Sequence, residues 1–235
     1  MSRVVANPQN MGDTEPVALA LPTSFVFRWK SVRSPRGDTG LQQQSLEALI
    51  TVVGMDDRPG CTLLLGSLSA SSLSRTAALC AAEYLDYMCM ILWPDLESLP
   101  LFNEDVEGVE SASVTALQND VLNSELIIIF TPEHSHGIPE ALENAINWLS
   151  PPMGDGCLID RFVAVASVGP PSQDGENVCE NLVRKCGDLT DRLYPTTLRI
   201  PVVQDSGETD LGDDATIDLY DWLDDLLQFT RHFKP

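Results

Sequence analysis

The chain of 235 residues is poor in positive charge, with 14 Lys and Arg against 35 Asp and Glu and a formal net charge of −21. A surface so charged repels the phosphate backbone of a nucleic acid and an anionic membrane face, so neither is expected as a partner. No stretch approaches the roughly 20 uninterrupted apolar residues that a membrane-spanning helix needs. There is no C-x-x-C pair among the six cysteines Cys61, Cys80, Cys89, Cys157, Cys179 and Cys186. Most lie inside apolar patterns and read as reduced core residues of a cytoplasmic protein. Three signatures are also missing: G-x-G-x-x-G, the triphosphate loop G-x-x-x-x-G-K-[ST] and the nucleophile elbow G-x-S-x-G. The serines therefore have no motif-linked base, and a hydrolase is a poor reading. Histidine is scarce as well. His134 and His136 would share a face of an extended segment, but the only other histidine is His232, so no metal site is expected.

The acidity is uneven. Residues 1–54 hold five basic and four acidic groups, a net of +1, which leaves −22 for residues 55–235. That acidity reads as a solvated surface. Residues 1–54 mix Pro8, Pro16, Pro22 and Pro35 with glutamines at 42–44, and their apolar patches are confined to 17–21 and 49–53. They lack a secretory n-region, h-region and cleavage pattern. The stretch is expected to be a disordered extension outside the core. Alternatively, translation starts at Met55.

From Cys61 onward, short apolar runs alternate with amphipathic segments. Strands are predicted at 62–65, 89–92, 126–130, 162–166 and 197–200, and helices at 73–87, 112–122, 139–150, 178–193 and 216–229. Ile127, Ile128 and Ile129 make the third strand apolar on both faces, as at the centre of a parallel sheet covered by helices. Pro201 marks the fifth strand as an edge, because proline cannot donate to a ladder. Five β-α units with right-handed crossovers predict an α/β three-layer sandwich with a five-stranded parallel sheet of order 2-1-3-4-5. Residues 55–235 would form this one domain, with ligands at the carboxyl ends of the strands.

Two loops there carry the chemistry. Residues 66–75, Gly-Ser-Leu-Ser-Ala-Ser-Ser-Leu-Ser-Arg, leave the first strand and enter a helix near Ser72. Free N–H groups at a helix start attract an anion, and Ser67, Ser69, Ser72 and Ser74 add hydroxyls. Residues 131–139, Thr-Pro-Glu-His-Ser-His-Gly-Ile-Pro, follow the third strand and lead into Glu-Ala-Leu-Glu-Asn-Ala-Ile-Asn-Trp-Leu-Ser at 140–150.

This second stretch resembles the T-P-E-Y-N-x-x-x-P-x-x-L-K-N-A-I-D-W-L-S segment of the NADPH-dependent FMN reductases. That flavodoxin-like family includes chromate, quinone and azo-dye reductases. Residues 66–75 resemble its G-S-L-R-x-x-S-x-N loop, and residues 99–105, Leu-Pro-Leu-Phe-Asn-Glu-Asp, its L-P-L-Y-N-x-D segment. The three motifs keep the family's order over about residues 60–230.

The resemblance implies a flavodoxin-like FMN-dependent NAD(P)H oxidoreductase. NAD(P)H would reduce the flavin, and a quinone, azo compound, metal oxyanion or free flavin would then take the electrons, with no catalytic side chain. Ser67, Ser69, Ser72, Leu73, Ser74 and Arg75 would hold the phosphate end. Pro132, Glu133, His134 and Ser135 would line the ring, with Ser167 and Gly169 beyond the fourth strand on its far side. His134 could offset negative charge on the reduced ring, an idea that an unchanged midpoint potential after its replacement would remove. Asn144 and Trp148 would hold the helix under the second loop. A homodimer or homotetramer is implied.

There are departures. Ser69 stands where the family has a phosphate-binding arginine, a loss that the adjacent Arg75 could supply. Ser74 replaces an asparagine, His134 a tyrosine, Ser135 an asparagine and Glu143 a lysine. Two alternatives stay open: a flavodoxin-like electron carrier docking a basic partner, and a regulatory module without reductase turnover.

Overall fold

The computed structural model describes residues 58–103, 105, 111–133, 137–150, 156–170, 175–202 and 211–232. The expectation for residues 1–54 lies outside them. Within the unit Gly54–Pro235, the strands are β1 (Gly60–Leu65), β2 (Met90–Leu92), β3 (Ser124–Thr131), β4 (Phe162–Gly169) and β5 (Leu198–Pro201). The helices are α1 (Leu73–Leu85), α2 (Ala112–Leu122), α3 (Glu140–Leu149), α4 (Glu176–Gly187) and α5 (Asp213–His232). All pairings are parallel and the order is β2-β1-β3-β4-β5, as the crossover rule predicts.

The apolar run in β3 divides between two cores because successive side chains point to opposite faces. Ile128 and Phe130 pack with Ala77, Ala81, Leu219 and Trp222, so α1 and α5 cover one face. Ile127 and Ile129 pack with Leu117, Leu142, Ile146 and Leu182, so α2, α3 and α4 cover the other. Each buried isoleucine contributes about 1.5–3 kcal/mol, which makes β3 the axis of the sandwich.

Several element boundaries differ from the sequence reading, most of all at the fourth helix, the fourth strand and the last helix. The fourth helix ends at Gly187 rather than 193. Thr190 there donates its hydroxyl to the Arg161 carbonyl at 2.8 Å and accepts from Arg192 N–H at 3.1 Å, and Leu193 bridges Val163. The helical spacing of Leu189 and Leu193 thus belongs to an extended segment entering beside β4. β4 itself runs on to Gly169, because β5 pairs with Ala166 through Gly169. Ser167 and Gly169 are therefore strand residues, not the start of a loop. α5 extends past both expected ends, to Asp213 and His232.

Candidate functional site

The two chemistry-bearing loops meet at one close approach. Gly66 N–H donates to the Phe130 carbonyl at 2.7 Å, and a Cβ on Gly66 would lie 2.3 Å from Thr131 Oγ1 and 3.0 Å from its Cα. Only glycine lets the chain leaving β1 lie this close to the end of β3.

Beyond Gly66 the loop turns through Ser72 N–H to the Ser69 carbonyl at 3.2 Å and enters α1. Ser72 is the N-cap, its Oγ accepting from Arg75 N–H at 3.2 Å. The N–H groups of Leu73 and Ser74 have no acceptor among the described residues. No acidic residue occupies the first turn, so nothing opposes an anion at this helix start. Ser74 Oγ and Arg75 Nε are buried without a partner. Ser67 accepts weakly from Ser69 N–H at 3.4 Å, while the Ser69 hydroxyl is exposed 3.3 Å from that of Ser71.

At the end of β3, Thr131 donates to the Pro132 carbonyl at 3.1 Å. Glu133 Oε1 accepts from Asn177 Nδ2 of α4 at 3.1 Å, while its Oε2 is buried without a partner. His134 and Ser135 lie outside the described residues.

On β4, Ser167 is buried and faces Arg199 across the pairing, and the carbonyl of Gly169 accepts from Val202 N–H at 2.8 Å. A Cβ on Gly175 would fall 2.2 Å from Ser167 Oγ, so glycine is needed where α4 starts over this hydroxyl. The Cys179 thiol beneath is pushed up to about 11, chiefly by burial and against the Thr197 hydrogen bond and the Arg199 charge. It is held as a thiol at neutral pH and is no nucleophile.

Asn144 and Trp148 hold a different segment from the one expected. Asn144 Oδ1 accepts from Phe102 N–H at 2.7 Å, and Asn144 Nδ2 donates to the Pro100 carbonyl at 3.0 Å. Trp148 Nε1 donates to that same carbonyl at 2.8 Å, and its ring meets Phe102 edge-on at 5.0 Å. The L-P-L-F segment is thereby clamped on α3, with Leu101 between the anchors 85% exposed. Glu143 is offset by Lys185 of α4 at 3.2 Å, which also donates to Asn147 at 2.9 Å.

Sequence reasoning missed Asn177 and Gly175. The only signal was a glycine just before a helix start, too common to single out. A cavity of about 270 Å³ lined by Pro59, Cys89, Phe162 and Arg231 lies at the opposite, amino end of the sheet and has no part in this site. Among the described residues there is no group of three His, Cys, Asp or Glu side chains arranged for a metal, and no helix long and apolar enough to cross a membrane.

A 2-1-3-4-5 parallel sheet between two helical layers, with an open helix start at its carboxyl edge, defines a flavodoxin-like α/β protein. A flavoenzyme NAD(P)H:(acceptor) oxidoreductase of Paracoccus denitrificans shares this fold with a TM-score of 0.65 at 18% identity, over 74% of this chain and 98% of that one. Residues 61–191 match the model of the NADPH-dependent FMN reductase family, and the chain belongs to that family. A quinone reductase of Pseudomonas putida is 30% identical over 114 residues, 48% of this chain and 61% of that protein. One from Escherichia coli K12 is 31% identical over 102 residues, 41% of this chain and 53% of that protein. The match thus spans 61% and 53% of these two relatives, less than two thirds of either.

Proposed function

We propose that this chain is an FMN-dependent NAD(P)H oxidoreductase that passes electrons to a small acceptor, with a quinone or azo compound as the first candidates and a metal oxyanion or free flavin as others. The observation that carries this reading is the placement of the unpartnered polar atoms. Native interiors leave few such groups, and each asks for an explanation. Among the described residues four buried side-chain atoms lack a partner, and of these Ser74 Oγ, Arg75 Nε and Glu133 Oε2 belong to the two loops while Arg161 Nε lies elsewhere.

Their chemistry fits FMN end to end. Ser74, Arg75 and the free N–H groups of Leu73 and Ser74 offer donors to a phosphate, and Glu133 offers an acceptor to an N–H of the ring. Arg75 supplies the positive charge that Ser69 lacks. Ser67, Ser69 and Ser72 line the same turn with hydroxyls, and Leu73 presents its backbone. Pro132, Glu133, His134 and Ser135 border the ring, with Ser167 and Gly169 beyond them in β4. FMN, when bound, supplies the electron relay between NAD(P)H and acceptor. The protein binds it, orients it and excludes water.

The six cysteines form no disulfide, which supports a reducing cytoplasmic setting. The exposed Leu68 and Leu101 support a homodimer or homotetramer, checked by light scattering on the loaded protein.

The test is anaerobic titration of FMN-loaded protein with NADH and NADPH in parallel. Loss of the flavin absorbance band with either one, and its return on adding a quinone, is the expected result. A flavin band that neither nucleotide bleaches would favour the electron carrier, whose docking the acidic surface suits. Failure of the apoprotein to bind FMN would leave the regulatory module.

A further inference from the structure

We propose that the cavity at the amino end of the sheet is a second binding site, for a small carboxylate whose apolar body is about the size of one aromatic ring. It does not depend on the flavin reading above.

The cavity encloses about 270 Å³ beside the last two turns of α5. A single water needs only ~15 Å³, and close-packed interiors leave few voids larger than that, so a space of this size is fit for a ligand. Its walls are the apolar side chains of Met88, Cys89, Leu126, Phe162 and Leu227. The Phe162 ring is fixed from two directions, with the Arg192 guanidinium 5.4 Å over its face and the Phe229 ring edge-on at 5.9 Å. That wall is preformed, which lowers the ordering cost of binding.

The mouth selects the other end of the ligand. Arg231, exposed in the last turn of α5, lines it and has neither a hydrogen bond nor an ion pair among the described residues. By contrast Arg192 pairs with Asp160 at 3.2 Å and Arg199 with Glu176 at 3.9 Å. Glu125 also lines the cavity but makes no ion pair with Arg231. The open carbonyls of a helix end ordinarily repel an anion. Two of them are already engaged here: Thr230 donates its hydroxyl to the Leu227 carbonyl at 2.9 Å, and His232 Nδ1–H donates to that of Gln228 at 2.7 Å. A guanidinium presents two parallel donors, a geometry that a carboxylate matches and an alcohol does not.

This site is remote from the loops at the carboxyl edge. β3 runs for eight residues from one end of the sheet to the other, roughly 25 Å at about 3.3 Å per residue. A ligand here therefore neither competes with a group bound at residues 66–75 nor exchanges electrons with it by contact. It touches β3, β4 and α5 together, so its binding stabilises the fold.

The experiment follows binding of phenylbutyrate, phenylbutanol and phenylbutylammonium by calorimetry and by melting temperature, in about 150 mM NaCl to screen the chain's net charge. The parent is expected to bind the carboxylate at least about fivefold more tightly than either other probe, and equally with FMN absent or present. Arg231→Gln, a surface change expected to melt with the parent, should bind carboxylate and alcohol alike. Leu227→Trp, which fills the cavity, should bind none of the three. No binding by the parent, equal binding of carboxylate and alcohol, or a preference for the ammonium overturns the proposal. A carboxylate preference kept in Arg231→Gln overturns it too. Binding that survives in Leu227→Trp, or that FMN displaces, also overturns it by placing the probe elsewhere on the molecule.

Discussion

At Gly175 a methyl group would have no room. Its φ of +74° is one that side-chain-bearing residues rarely adopt, and the added Cβ would press to 2.2 Å from Ser167 Oγ. Gly175→Ala is expected to lower stability by at least ~2 kcal/mol in urea unfolding. Removing the Ser167 hydroxyl as well, in Gly175→Ala/Ser167→Ala, should recover part of that loss if the clash is the cause. The buried thiols make a separate prediction. Burial pushes Cys186 up to about 12 from an ordinary thiol value of 9.0. Between about pH 9 and 12 the unfolded chain gives up this proton and the folded chain keeps it, so the unfolded state gains. Stability contributed by the protonated thiol is complete below pH 9 and falls as pH rises, by up to about 1.4 kcal/mol per pH unit. Cys186→Ala, although weaker at neutral pH, should show a flatter decline in melting temperature across that window.

The clamp on α3 is an element-scale device: one helix, through Asn144 and Trp148, fixes the segment that carries Leu101. Trp148→Phe keeps the ring against Phe102 and removes one donor, a cost of about 1 kcal/mol. Asn144→Ala removes two bonds. Proteolysis after Leu101 or Phe102 is expected to speed up in the order parent, Trp148→Phe, Asn144→Ala; equal rates would mean the clamp does not restrain the segment. Elements were readable where the physics is local. β3 showed in its uninterrupted isoleucines and α3 in its proline start and its period. The ends of α4 and β4 were not readable, because Thr190 and the β5 pairing set them from far away in the sequence. The candidate site divides likewise. Phosphate binding at Ser72–Arg75 follows from serines at a helix start, while the tie between Glu133 and Asn177 joins positions 44 apart and leaves no periodic trace.

At the scale of the molecule, a net charge of −21 means that self-repulsion opposes compactness. Raising NaCl from about 20 to about 300 mM, past the point where the Debye length falls below 10 Å, is expected to raise the melting temperature by a few degrees. A flat or falling trend would show that the acidic groups are already compensated by local pairs. The sheet order was legible because handedness leaves few ways to connect five β-α units.

The same order has a temporal consequence. Since every pairing is parallel, no two strands can join before an entire crossover has been made, and the rate of folding should be limited by distant rather than neighbouring contacts. The face closed by α1 is only half closed until α5 is made, for Trp222 packs on Tyr194 and Phe229 on Phe162 from that last helix. While the chain is being synthesised, β4 and its neighbours are thus bare on one side until α5 has left the ribosome. That interval is when the apolar face of the sheet is most exposed to aggregation.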